Sequence, residues 1–186
     1  MALDILVLAI GAVVVIAVLA VIVMFNSLIS LKNRIDNAWA QIDVQLKKRY
    51  DFIPNLVETV KGYAKHDKAI FENVTKARSA MMNASSIKDK AKADNMLSGT
   101  LKSLFAVAEN YPQLRANENF KMLQEEISGI EGKIAYARQF YNDSVLELNT
   151  KIETIPTNFI AGMMGLKQRE YFKVEEGEKG PVKVKF

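Results

Sequence analysis

Catalysis needs reactive side chains that converge, and this 186-residue chain supplies few. It has no cysteine, which rules out disulfides, thiolate metal ligands and a cysteine-linked lipid anchor. Its single histidine, His66, sits in "KHD" (65–67), a stretch read as a solvated turn with nothing nearby paired to it. The densest acidic group is "QEEISGIE" (124–131), with Glu125 and Glu126 near an expected helix start and Glu131 a turn and a half later. Di-metal bundles need a Glu on each of two helices and Glu-x-x-His on each of two more. That second motif is missing, so these carboxylates read as a solvated helix face. "SGT" (98–100) and "GMMG" (162–165) lack the preceding strand and the Lys-Ser/Thr pair of a phosphate loop. The expectation is therefore no catalytic residue, no metal, no cofactor and no enzyme.

A different constellation lies in "RIDNAWAQIDVQLKKRYDFIPNL" (34–56), where Asp36, Asp43 and Arg49 fall on or beside an apolar stripe. Asp36, Trp39, Asp43, Leu46, Tyr50 and Ile53 step by three and four, as do Arg138, Asn142, Val145, Asn149 and Ile152 further on. Two helices with such mixed rows can lock through a few buried polar pairs, which add little stability but fix register. Arg138 is expected to bond to Asp43 or Asp36, with Asn142 and Asn149 completing hydrogen bonds nearby; the plainer reading is that all are solvated. Trp39 is expected as a packing anchor. Pro54 is expected to bend the helix or restart it near residues 50–54, with Asp51 as the new cap.

The elements that must position these residues follow from apolar spacing. Leu31, Ile35, Ala38 or Trp39, Ile42, Leu46, Arg49, Ile53, Leu56, Val60 and Tyr63 mark one long helix. A second is expected over 68–83, capped by Asp67, and a third from Leu97 to Tyr111, stopped by Pro112. Residues 84–96, "ASSIKDKAKADNM", read as a loop leading into that third helix. A fourth runs from Phe120 to Ile152 and ends before Pro156. The fold class is all-α, with long coiled-coil-like helices for which an antiparallel bundle is the simplest way to bury the stripes.

Residues 5–25, "ILVLAIGAVVVIAVLAVIVMF", contain no charged or strongly polar side chain and would extend about 30 Å as a helix, the thickness of a bilayer's hydrocarbon core. No Lys or Arg precedes Lys32, and Val23, Met24 and Phe25 offer no small-residue cleavage site, so a retained anchor is expected rather than a signal peptide. Lys32, Arg34, Lys47, Lys48 and Arg49 all follow the span. The positive-inside bias thus puts the N-terminus (1–4) outside and the larger part in the cytoplasm of a bacterial inner membrane. The net charge of +4 permits attraction to anionic lipid but gives no nucleic-acid footprint.

The chain resembles the LemA family of bacterial membrane proteins. The resemblance rests on "RIDNAWAQIDVQLKKRYDFIPNLVETVKGYAKHD" (34–67), "LFAVAENYPQLRANENF" (104–120), "IAYARQFYNDSVLELNT" (134–150) and "FIAGMMGLKQREYF" (159–172). It implies one span and an up-and-down four-helix cytoplasmic domain over 26–156, with no settled activity. Related domains occur in magnetosome-membrane proteins, and members are often associated with a membrane metalloprotease. Where the family typically repeats Tyr-Asn in its fourth helix, this chain has Tyr141-Asn142 and Leu148-Asn149.

After Pro156, the segment 157–172 is unusually apolar, with Phe159, Ile160, Met163, Met164 and Leu166. It is expected to pack on the bundle, lie at lipid headgroups or contact a neighbouring subunit. Residues 173–186 read as a flexible tail. The expected function is a membrane-anchored scaffold that forms homo-oligomers. Rival readings are an adaptor for a membrane protease or sensor, and a ligand-binding bundle lined by Trp39, Tyr50 and Tyr63.

Overall fold

The computed structural model describes residues 1–64 and 67–173, so the expectations for His66 and for nearly all of the tail fall outside it. Among the described residues there are six helices and no strand: α1 (Ala2–Lys61), α2 (Lys68–Asn83), α3 (Ile87–Ala108), α4 (Pro112–Ala116), α5 (Glu118–Glu153) and α6 (Thr157–Met163). They form two compact units, one of residues 1–39 with 140–171, the other of the described residues of 40–139 with 172–173.

In the first unit, α1 begins as the apolar span, whose side chains are exposed except for half-buried Met24: Ile10 is 57% exposed, Val15 58% and Val23 67%. This part of α1 is long and apolar enough to cross a membrane. Burial begins at Leu28 and recurs at Leu31, Ile35 and Ala38, facing a core that includes Tyr141, Val145 and Leu148 of α5. Lys151 Nζ donates to Ser27 Oγ (2.8 Å), Arg34 pairs with Glu147 (3.1 Å), and Trp39 packs at a tilt on Tyr141 (5.7 Å). Position numbers rise along α1 as they fall along α5, so the two are antiparallel here. Gly165, at φ +63, closes α6 by letting Leu166 N–H reach Ala161 O (3.0 Å) and its own N–H reach Gly162 O (3.0 Å). The chain then returns along α5.

In the second unit, Ile53, Leu56 and Val60 of α1 meet Phe71, Val74 and Ala77 of α2, Leu97, Leu101 and Leu104 of α3, Leu114 of α4 and Phe120 and Ile127 of α5 in one core. Helix α3 starts ten residues before the expected Leu97. Ser86 caps it, accepting from Asp89 N–H (3.0 Å) while its hydroxyl donates to the Asp89 carboxylate (2.6 Å). Low hydropathy had hidden good helix formers, because Ala and Lys need no buried stripe to favour a helix. Asp67 makes no side-chain cap for α2; its carboxylate accepts instead from Tyr111 OH (2.9 Å).

Pro54 does not restart α1, which is helical throughout 50–54 with Asp51 in its interior. The proline lacks the N–H that would satisfy Tyr50 O, and Arg78 Nε of α2 donates to that carbonyl instead (3.2 Å). Pro54 itself faces solvent, where its ring displaces no core packing.

Candidate functional site

The stripe of α1 carries one charge at an apolar position. Arg49 follows Leu46 by three and precedes Ile53 by four, and it is fully buried. Such burial is tolerable only with partners. Arg49 Nη2 pairs with the equally buried Asp94 Oδ1 of α3 and donates to Asp94 O (3.3 Å). Arg49 Nη1 donates to Ser98 Oγ (2.9 Å), also of α3, and to Glu131 Oε1 of α5 (2.6 Å). Ser98 donates to the same Glu131 oxygen (3.3 Å), and Arg138 of α5 donates to Asp94 Oδ2 (3.0 Å). Three helices are thereby joined through two guanidinium groups and two carboxylates.

Burial pushes the Asp94 carboxyl above its ordinary value of 3.8, against the opposing pull of Arg49 and Arg138, while Glu131 adds to the rise. Among the described residues, Arg49 Nε and Gln45 Oε1, one turn earlier, are buried polar atoms without a hydrogen-bond partner. Desolvation of these groups therefore offsets much of the attraction between them. Arg138 also lies over the Phe172 ring at 5.6 Å.

The structure redistributes the expected polar pairs. Arg138 takes Asp94, not Asp36 or Asp43. Asp43 pairs with Lys90, and Asp36 with Arg169 (3.3 Å). Asn149 donates to Arg169 O (3.0 Å) and accepts from its N–H (2.9 Å), tying the returning segment to α5. Asn142 is half-buried on α5. Tyr141 donates to Glu170 O (2.9 Å), and burial pushes its phenol up, which keeps it a neutral donor. Trp39 is half-buried, and Tyr63 is 38% exposed with its hydroxyl accepting from Asn117 (3.1 Å).

Spacing alone gives no sign that Asp94, Ser98 and Glu131 converge on Arg49. Asp94 falls in the stretch expected as a loop, although it stands three residues before Leu97 on the stripe continued by Leu101 and Leu104. Glu131 is expected on a solvated face, yet it directs a carboxylate oxygen at Arg49 and stands well inside α5. A buried cation on one stripe and a carboxylate on another are the signal that could have joined them.

Of the C-terminal apolar residues, Ile160 is buried and Met164 and Leu166 are half-buried, whereas Phe159 and Met163 are 68% and 89% exposed. One face of α6 packs and the other is bare.

The second unit also has a groove of about 720 Å³ between residues 40–45 of α1 and 129–137 of α5. Its walls include Val44, 51% exposed, and Tyr136, 73% exposed. Gly129 and Gly132 leave bare backbone along it, and a Cβ added at either would meet nothing. Each glycine costs a helix interior about 1 kcal/mol relative to alanine, so packing within this chain does not account for them. No group of three His, Cys, Asp or Glu among the described residues is placed to hold a metal ion.

A model of the LemA family matches residues 38–186. Two magnetosome proteins MamQ of Paramagnetospirillum magneticum are each 23% identical over 195 residues, covering 90% of this chain and 72% of theirs. Protein LemA of Metamycoplasma hominis is 28% identical over 159 residues, covering 83% of this chain and 71% of its own.

Proposed function

The chain belongs to the LemA family, and from that premise we propose that it is a non-enzymatic, single-pass membrane scaffold that self-associates at the cytoplasmic face. In this reading residues 5–25 cross the bilayer with the N-terminus outside, and 26–156 form an antiparallel up-and-down four-helix bundle. The observation that carries it is the groove of the second unit. Two helical glycines with open space above them, beside exposed Val44 and Tyr136, suit close approach by a helix from a second copy. Anchoring favours that contact by concentrating copies in a plane. The magnetosome relatives fit the same role, since they are named for a membrane compartment.

The absence of cysteine makes a direct test simple. Val44→Cys fitted with a photocrosslinker and illuminated in membranes should recover a dimer of this chain. Recovery of a different protein would favour an adaptor, for a membrane protease or another partner. Recovery of neither would remove the groove from the account.

A further inference from the structure

The short helix α6 is apolar on both sides. Its inward face, Ile160 and Ala161, is buried, while Phe159, Gly162 and Met163 point outward, and Ile155 in the preceding turn is 79% exposed. No charged residue occurs from Thr154 to Leu166; Glu153 and Lys167 bound that stretch. Water is a poor environment for such a surface.

Its place in the first unit says what covers it. Lys151 Nζ donates to Ser27 Oγ (2.8 Å), and Thr157 Oγ1, the first residue of α6, donates to Lys151 O (2.7 Å). The start of α6 is therefore tied through the Lys151 side chain to Ser27, which stands two residues after the span ends at Phe25, or about 3 Å along the α1 axis. Phe25 and Ile29, at the same level of α1, are 44% and 37% exposed. The bare face thus belongs to a segment tethered near the end of the span, where α1 also exposes apolar side chains. Helices lying in a bilayer interface bury an apolar face roughly 5–10 Å into the boundary between headgroups and acyl chains, which is deep enough to take Phe159 and Met163.

We infer that Ile155, Phe159 and Met163 form a second membrane contact, embedded in the lipid interface beside the end of the span. This rests on the reading that residues 5–25 cross the bilayer. The segment thereby braces α5 and the returning chain against the membrane surface, because Asn149, Tyr141 and Asp36 all hold residues 169–170. Lys167, exposed at the edge of the segment, faces the headgroup phosphates and favours anionic lipid.

The test uses full-length protein in vesicles of phosphatidylcholine and phosphatidylglycerol. A polarity-sensitive dye is placed on Met163→Cys or, as a reference within the span, on Ile16→Cys. Lipids carry spin labels either near the headgroup or deep in the acyl chain. The expected result is blue-shifted emission at both sites, quenched at 163 mainly by the shallow label and at 16 by the deep one. Quenching at 16 with none at 163 overturns the interfacial contact and leaves the anchor standing. No quenching at 16 overturns the anchor reading, and the inference with it. A blue shift at 163 without lipid quenching, accompanied by self-quenching between labelled copies, overturns the inference in favour of a second copy on this face.

Discussion

Arg49 concentrates the risk that this fold accepts. A fully buried guanidinium stands where a leucine would continue the stripe, and its carboxylate partner Asp94 is equally buried. Arg49→Met should destabilise the protein by roughly 3 kcal/mol or more, because it leaves that carboxylate with Arg138 alone. Adding Asp94→Leu should recover part of the loss, since Glu131 and Arg138 are exposed enough to rehydrate. Chemical denaturation of the intact chain in mild detergent measures both. The same pair predicts an unusual acid response. The folded pKa of Asp94 is raised, so the fold binds this proton more tightly than the unfolded chain does. Its contribution is fully present below about 3.8 and is lost as the pH rises through the raised value. The stability of wild type minus that of Asp94→Asn should therefore be largest in acid and shrink towards neutrality. A difference that grows with pH contradicts the assignment.

Helix α1 stays unbroken at Pro54 because α2 supplies what the proline removes. Arg78→Ala should thus cost about 1–2 kcal/mol in wild type by leaving Tyr50 O without its donor. In a Pro54→Ala background residue 54 can donate to that carbonyl, so the cost should fall towards zero; a double-mutant cycle with no coupling would refute this. The contrast shows what the sequence made legible at this scale. Stripes at three-four spacing located α1, α2 and α5 closely, because each buries an apolar face that leaves a periodic mark. The start of α3 was obscured since Ala91, Ala93 and Asp94 are buried without being strongly apolar. The passage through Pro54 was illegible for a different reason. The rescuing donor lies 28 residues beyond Tyr50 and carries no periodic signal of its own. Polar partners across helices suffer likewise: spacing marked Arg49 and Arg138 as noteworthy and offered Asp36 and Asp43 to Arg138, whereas Asp94, its partner in the fold, lay in the stretch expected as a loop.

For the molecule as a whole, the bare surfaces are more informative than the filled ones. The span, the outer face of α6 and the glycine-floored groove all expose apolar side chains or backbone that the chain itself leaves uncovered. Lipid suits the first two, and a second copy suits the third. On this account the protein's work is to hold copies of itself together at a membrane, and the measurement closest to that claim is subunit number. Intact protein, extracted with its anchor into mild detergent or nanodiscs, should show assemblies larger than a monomer by light scattering across a concentration series. Gly132→Trp, which fills the groove without touching the core, should shift them to single chains. A wild-type protein that remains monomeric at every concentration would contradict the account.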